Sequence, residues 1–200
     1  MTEVSVNDAA RFVMLRTLVR SEAFWTEEVV VWCGLEYLLW QRFSSLDANL
    51  LKRLVAEAWE KIAPAAASPH RYEDFISYLH GKGIAEKDLL LEFTDRVFKH
   101  FAVDQEKGHY LSYAHDLIGF VNDAAAFGNK VLQDLLNEGL ASRRSLSCGL
   151  LPVYHYTTTA KGQEFLQQLA DNPPDQVIAK VSASPPLPLL LVQIASHKNM

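Results

Sequence analysis

The stretch 127–169, FGNKVLQDLLNEGLASRRSLSCGLLPVYHYTTTAKGQEFLQQL, decides how the chain is read. Val131, Leu132 and Leu135 recur at helical spacing and give one apolar face to a helix over 128–138. Gly139 follows it, at a point where a left-handed backbone lets a helix end without steric cost. LASRRSLS and LLPVYHYT, on either side of Cys148 and Gly149, then read as two extended segments that form a hairpin over 141–157. Thr159 suits the start of a further helix that buries Phe165, Leu166 and Leu169. The order is helix, hairpin, helix.

Towards the N-terminus the pattern is helical throughout. Over Asp8 to Arg20, Phe12, Leu15 and Val19 share one side of the turn pattern, leaving Arg11, Arg16 and Arg20 for solvent. A second helix starts near Thr26, with Glu27 and Glu28 suited to its exposed amides. Its continuation, VVVWCGLEYLLWQRF, is apolar almost all round and must be enclosed by other helices, with Gly34 allowing a close crossing. The valine triplet would also suit a strand start, but the apolar pattern continues through Leu39 and favours the helix. Ser44 and Asp47 offer a cap for an amphipathic helix that runs to Ile62, with Leu51, Val55, Ala58 and Ile62 inward and Glu57 paired to Lys61 outside. Pro64 and Pro69 end it. YEDFISYLH at 72–80 is a short helix stopped by Gly81 and Gly83. Another helix spans 85–101, carrying Leu90, Phe93, Val97 and Phe101. A polar break at VDQEKGHY separates it from a helix capped by Ser112, with Leu117, Ile118, Val121 and Ala125 facing inward.

Composition narrows the class. The hydrophobic fraction of 49% is ample for a core. With 19 Lys plus Arg against 24 Asp plus Glu, the formal charge of −5 gives no global attraction for phosphate backbones or anionic membranes. Neither half of the chain is a basic tail. Two cysteines, Cys33 and Cys148, suit a cytoplasmic protein rather than a disulfide scaffold or a four-thiolate zinc site. The start MTEVSVNDAARF lacks the pattern of a signal peptide, and LPLLLVQI at 187–194 is too short to span a bilayer, so no membrane span is expected.

The succession VLQDLLNEGLASRR, a turn, VYHYTTTAKG and a terminal helix resembles the latter part of winged-helix domains found in bacterial transcription regulators. The resemblance covers less than a quarter of the chain. It implies that the 128–138 helix enters a DNA major groove, that the 141–157 hairpin is the wing, and that Thr159 and Gly162 open the following helix. A DNA-reading helix needs donors for bases and phosphates. Here Asn129, Lys130, Gln133 and Asn137 supply them, offset by Asp134 and Glu138. Over 127–170 the basic side chains are Lys130, Arg143, Arg144 and Lys161, against the acidic Asp134, Glu138 and Glu164, a thin electrostatic footprint. The adjacent Arg143 and Arg144 are the best phosphate-contact candidates. As ordinary residues they would be a solvated strand end, and Lys130 a surface lysine. Tyr154 and Tyr156 alternate around His155 and could present aromatics or cover the core.

Catalytic candidates are sparse. His109 and His115, with Asp104 and Asp116 nearby, lack a ligand-spacing motif, and His80 and His100 sit near helix ends where bonding to terminal carbonyls is ordinary. Cys33 reads as a core residue, while Cys148, in the turn with His155 seven residues on, is the more accessible nucleophile. Glu27, Glu28 and Glu36 do not repeat the carboxylate–histidine pattern of a di-metal bundle. Neither GKG at 81–83 nor Gly128-Asn129-Lys130 has the framework of a nucleotide loop.

The sequence therefore predicts a mainly α protein with a small β-hairpin. Residues 1–105 form a helical region and 106–172 a winged-helix-like region. VIAKVSA reads as a short strand within a 173–200 tail that packs on the core or on a partner subunit. The leading functional expectation is a non-enzymatic regulatory or assembly protein acting through protein–protein contact or self-association as a dimer. Its support is the greasy 187–194 segment. The alternative is a DNA-binding regulator that engages duplex DNA through Lys130, Gln133, Asn137, Arg143 and Arg144. A second alternative is a small hydrolase-like enzyme with a Cys or His site. No cofactor and no metal are implied.

Overall fold

In the computed structural model the described residues are 6–20, 27–62, 72–102, 110–148 and 151–197. They form α1 (Asp8–Arg20), α2 (Glu27–Arg42), α3 (Ala48–Ile62), α4 (Tyr72–Gly81), α5 (Glu86–Ala102), α6 (Tyr110–Asn137), β1 (Ala141–Cys148), β2 (Leu151–Thr158), α7 (Ala160–Asp171), α8 (Gln176–Ser182) and α9 (Leu187–His197). The protein is mainly helical, with one two-stranded antiparallel hairpin. The proline linker after Ile62 and the polar break before Tyr110 lie outside the described residues.

The chain divides into two compact units that are discontinuous in sequence, whereas the sequence reading cuts it at 105 and 172. One unit is 1–42 with 124–188, and the other is 43–123 with 189–200.

In the first unit, α1 packs against α2, α7, α8 and β2. Asn7 starts α1 by accepting a hydrogen bond from the Ala10 amide at 2.9 Å, and its own amide donates to the Tyr37 hydroxyl at 2.9 Å. The apolar run of α2 is enclosed, with Val29, Trp32, Leu35 and Leu39 all at 0% exposure, so the helix reading holds over the strand alternative. Gly34 is the close-crossing residue. A side chain there would run into the Ala124 carbonyl, and one at Gly128 into the Val30 carbonyl, so α2 and the end of α6 approach backbone to backbone. The Tyr37 and Phe127 rings stack beside this crossing, 5.1 Å apart.

Several local expectations are corrected. Arg16 is not solvated. It lies on the same helical face as Phe12 and Leu15, and buried there it donates to the Val181 and Ser184 carbonyls, each at 2.6 Å, and to Glu36. Val19 is the exposed member of the set, at 45%. Residues 128–138 are not a separate helix, because α6 runs unbroken for 28 residues and Gly128 within it is a packing contact. VIAKVSA is helical rather than extended. Asp175 accepts from the Ile178 amide at 2.8 Å to cap it, and burial of Ile178 and Val181, one turn apart, outweighs the β-branched preference. In α7, Phe165, Leu166 and Leu169 are half-buried rather than enclosed.

In the second unit α3 packs on α5. Asp47, not Ser44, caps α3 by accepting from the Leu50 amide at 2.8 Å. Leu51, Leu54, Val55, Ala58 and Trp59 form the buried stripe, and Trp59 meets Phe75 at 5.3 Å between ring centres. Glu57 and Lys61 do not pair along α3. Each reaches α5 instead, Glu57 to Arg96 at 3.3 Å and Lys61 to Glu92 at 2.6 Å, because the packed neighbour offers nearer opposite charges than the next turn. Ile118 is 46% exposed rather than inward.

Candidate nucleic-acid interface

The C-terminal half of α6 has two faces. Phe127, Gly128, Val131, Leu132 and Leu135 are buried, while Ala126, Asn129, Lys130, Gln133 and Asn137 are exposed. Asn129, Gln133 and Asn137 recur every four residues and so line up along the helix. Asn129 turns back on its own helix, donating to the Ala125 carbonyl at 3.1 Å.

Asp134 and Glu138 lie on the flank of that face. Arg11 gathers both, with Nε donating to Asp134 Oδ2 at 2.7 Å and Nη2 to Glu138 Oε1 at 2.8 Å, and with Asp8 Oδ1 at 3.2 Å. Partial burial works against the Arg11 charge. It is outweighed by the hydrogen bond and charge of Asp134, then by Glu138 and Asp8, which together hold the guanidinium pKa above its ordinary value. The acids that thinned the electrostatic footprint are thus engaged by a cation from α1.

The exit of α6 is built by Gly139 at φ 71°, in the left-handed region. Leu140 N–H returns to the Leu135 carbonyl at 2.9 Å and Gly139 N–H to that of Leu136 at 3.2 Å, which turns the chain into β1. Thr159 opens α7 as expected. Its hydroxyl accepts from the Gly162 amide at 3.1 Å and donates to the Gly139 carbonyl at 2.7 Å. Gly162 is the second half of this joint, since a side chain there would meet the Leu140 carbonyl. Lys161 donates to the Glu138 carbonyl at 2.7 Å and so serves the end of α6.

On the hairpin Arg143 is paired with Tyr156 and Arg144 with His155 in an antiparallel register. Both arginines are exposed, on opposite faces of the strand. The Arg143 guanidinium lies over the Tyr154 ring, 4.5 Å from its centre, which limits the freedom of the side chain while leaving it accessible. Tyr156 is buried and covers the core. The sequence reading missed Arg11 and the Arg143–Tyr154 stack. The stack follows from strand register, but the Arg11 contact joins residues 123 positions apart and leaves no local signal.

The other candidates fall elsewhere. His109 and Asp104 lie outside the described residues, as do the side chains of His115, Asp116 and Cys148. Among the described residues no group of three His, Cys, Asp or Glu side chains could hold a metal ion. Cys33 is buried, and burial foremost, with the Glu36 charge, pushes its thiol pKa up to about 12 despite a hydrogen bond with Thr17 and the Arg16 charge. Glu36 is fully buried. Burial raises its pKa, opposed by Arg16, the Leu187 amide at 3.1 Å and a weaker interaction with Trp40, whose indole N–H finds no well-aligned acceptor. This pair is a structural clasp on the 181–187 segment. Arg53, Leu54, Glu57, Arg96, Lys99 and His100 line an open groove of about 350 Å³, where Glu57 and Glu92 hold Arg96 and Asp95 holds Lys99.

The segment 187–194 is α9, and within it Leu187, Leu190, Leu191, Val192 and Ile194 are buried in the chain. The apolar stretch 176–196 matches a membrane span in length and composition, but residues 183–186 break it into α8 and α9, neither of which reaches the roughly 20 residues a crossing helix needs.

No family model matches the chain, and no curated protein and no solved structure matches it.

Proposed function

We propose that the protein is a non-enzymatic regulator that binds duplex DNA, laying the exposed face of α6 in the major groove and setting the β1–β2 hairpin on the phosphate backbone as the wing of a winged-helix domain. The observation that carries this reading is the division of α6. Lys130, Gln133 and Asn137 stand exposed, while Asp134 and Glu138 are drawn to the flank by Arg11. A helix presenting donors and acceptors, with its acids set to one side and partly compensated by a cation, suits base edges better than its composition alone suggests. Arg143 and Arg144, exposed on the hairpin, supply the backbone contacts that fix register without reading sequence. The competing expectation of a protein-docking surface drew on the greasy 187–194 segment, and burial of that segment within the chain takes away its chief support.

The test is fluorescence anisotropy of the full chain with a pool of random duplexes at low ionic strength. The double change Arg143→Ala, Arg144→Ala is expected to weaken binding about equally across sequences. A folded chain that binds no duplex at low salt overturns the reading.

A further inference from the structure

We infer that the α6 face selects A·T base pairs, with Gln133 and Asn137 each reading an adenine; this rests on the duplex-binding reading above. The two side chains are exposed, four residues apart, and neither makes a hydrogen bond among the described residues. A carboxamide carries one acceptor and one donor side by side. That pair complements the amino group and N7 of adenine in the major groove, whereas guanine offers two acceptors there and calls for the paired donors of Arg or Lys.

The exposed face holds carboxamides and a single cation, Lys130, with no arginine. Asn129 is left out of the reading pair because its amide donates one of its two N–H groups to the Ala125 carbonyl, which holds the side chain back on its own helix. Gln133 and Asn137 are about 6 Å apart along the helix axis, and successive base pairs are spaced about 3.4 Å. The two contacts therefore fall within about two steps of each other when the helix follows the groove. Neither residue supports the core, so both can be changed without disturbing Val131, Leu132 or Leu135 on the opposite face.

The experiment is selection of bound sequences from a randomised duplex pool by the full chain, with sequencing of what is retained. The wild-type protein is expected to enrich two adenine positions no more than two steps apart. Asn137→Ala should flatten one of them, with discrimination falling about fivefold to a hundredfold, and Gln133→Arg should convert the other to guanine. Circular dichroism of each variant should match the wild type. Retained duplexes without adenine enrichment, or preferences unchanged in both variants, overturn the inference while leaving duplex binding in place. A pool from which nothing is retained overturns the duplex-binding reading itself.

Discussion

Arg11 Nε donates to Asp134 Oδ2 at 2.7 Å, so a side chain of α1 sets the charge of a helix far along the sequence. Without Arg11 the negative potential of Asp134 and Glu138 beside the α6 face would be wholly uncompensated. Arg11→Ala is therefore expected to weaken duplex binding several-fold at low ionic strength although Arg11 need not touch DNA. Adding Asp134→Asn and Glu138→Gln to that variant should restore affinity. The stability cost should stay within about 1 kcal/mol, as for other solvent-accessible pairs. Affinity that stays low in the triple variant would mean that Arg11 acts by a route other than charge.

Arg16 and Glu36 should behave differently, because their pair is buried. Glu36→Ala strands the Arg16 charge and is expected to cost about 3–5 kcal/mol in urea unfolding. Arg16→Met combined with Glu36→Leu removes both charges and should cost less than the single change. Burial raises the Glu36 pKa in the folded protein, so the folded state keeps this proton at pH values where the unfolded chain has lost it. The stabilising effect of that proton is fully present below the unfolded carboxylate value of about 4.3 and is lost as pH rises through the folded value. The difference in unfolding free energy between wild type and Glu36→Gln should follow that decline. A difference that is flat with pH would contradict the raised value.

The fold was legible where periodicity and punctuation agree. The enclosed α2, the Gly139 exit, the hairpin and the Thr159 cap all follow from spacing and turn chemistry. What stayed hidden depends on partners distant in sequence. Arg16 is buried because Glu36 and two carbonyls at and just past the end of α8 meet it, and Glu57 finds Arg96 rather than Lys61. The residues of the candidate interface were legible as types, since Lys130, Gln133, Asn137, Arg143 and Arg144 are all exposed. The partial compensation of their acidic neighbours was not, because no local pattern links Arg11 to Asp134.

Two glycines of α6 should respond oppositely to the same change. At Gly128 a methyl group meets the Val30 carbonyl, and Gly128→Ala is expected to cost about 1–3 kcal/mol by forcing α2 and α6 apart. At Gly119 a methyl group meets nothing within 4 Å. Gly119→Ala should stabilise the helix by about 0.5–1 kcal/mol. Thermal melts of both variants check the pair, and equal shifts in one direction would refute the close crossing.

Cys33 should be chemically silent in the folded protein. With its thiol pKa pushed up to about 12 and its side chain buried, it has neither thiolate nor access in mildly alkaline buffer. Peptide-resolved mass spectrometry after treatment with a maleimide should find Cys33 unmodified under native conditions and modified in guanidinium. Native labelling of Cys33 would show that α2 opens.

The most direct test of the central claim is the salt dependence of duplex binding. For the wild-type protein the logarithm of affinity should fall linearly with the logarithm of salt concentration. Neutralising Arg143 and Arg144 together should reduce the magnitude of that slope by about two, one released counterion for each lost phosphate contact. A wild-type affinity that is insensitive to salt, or a slope unchanged in the double variant, would contradict the assignment of the hairpin to the DNA backbone.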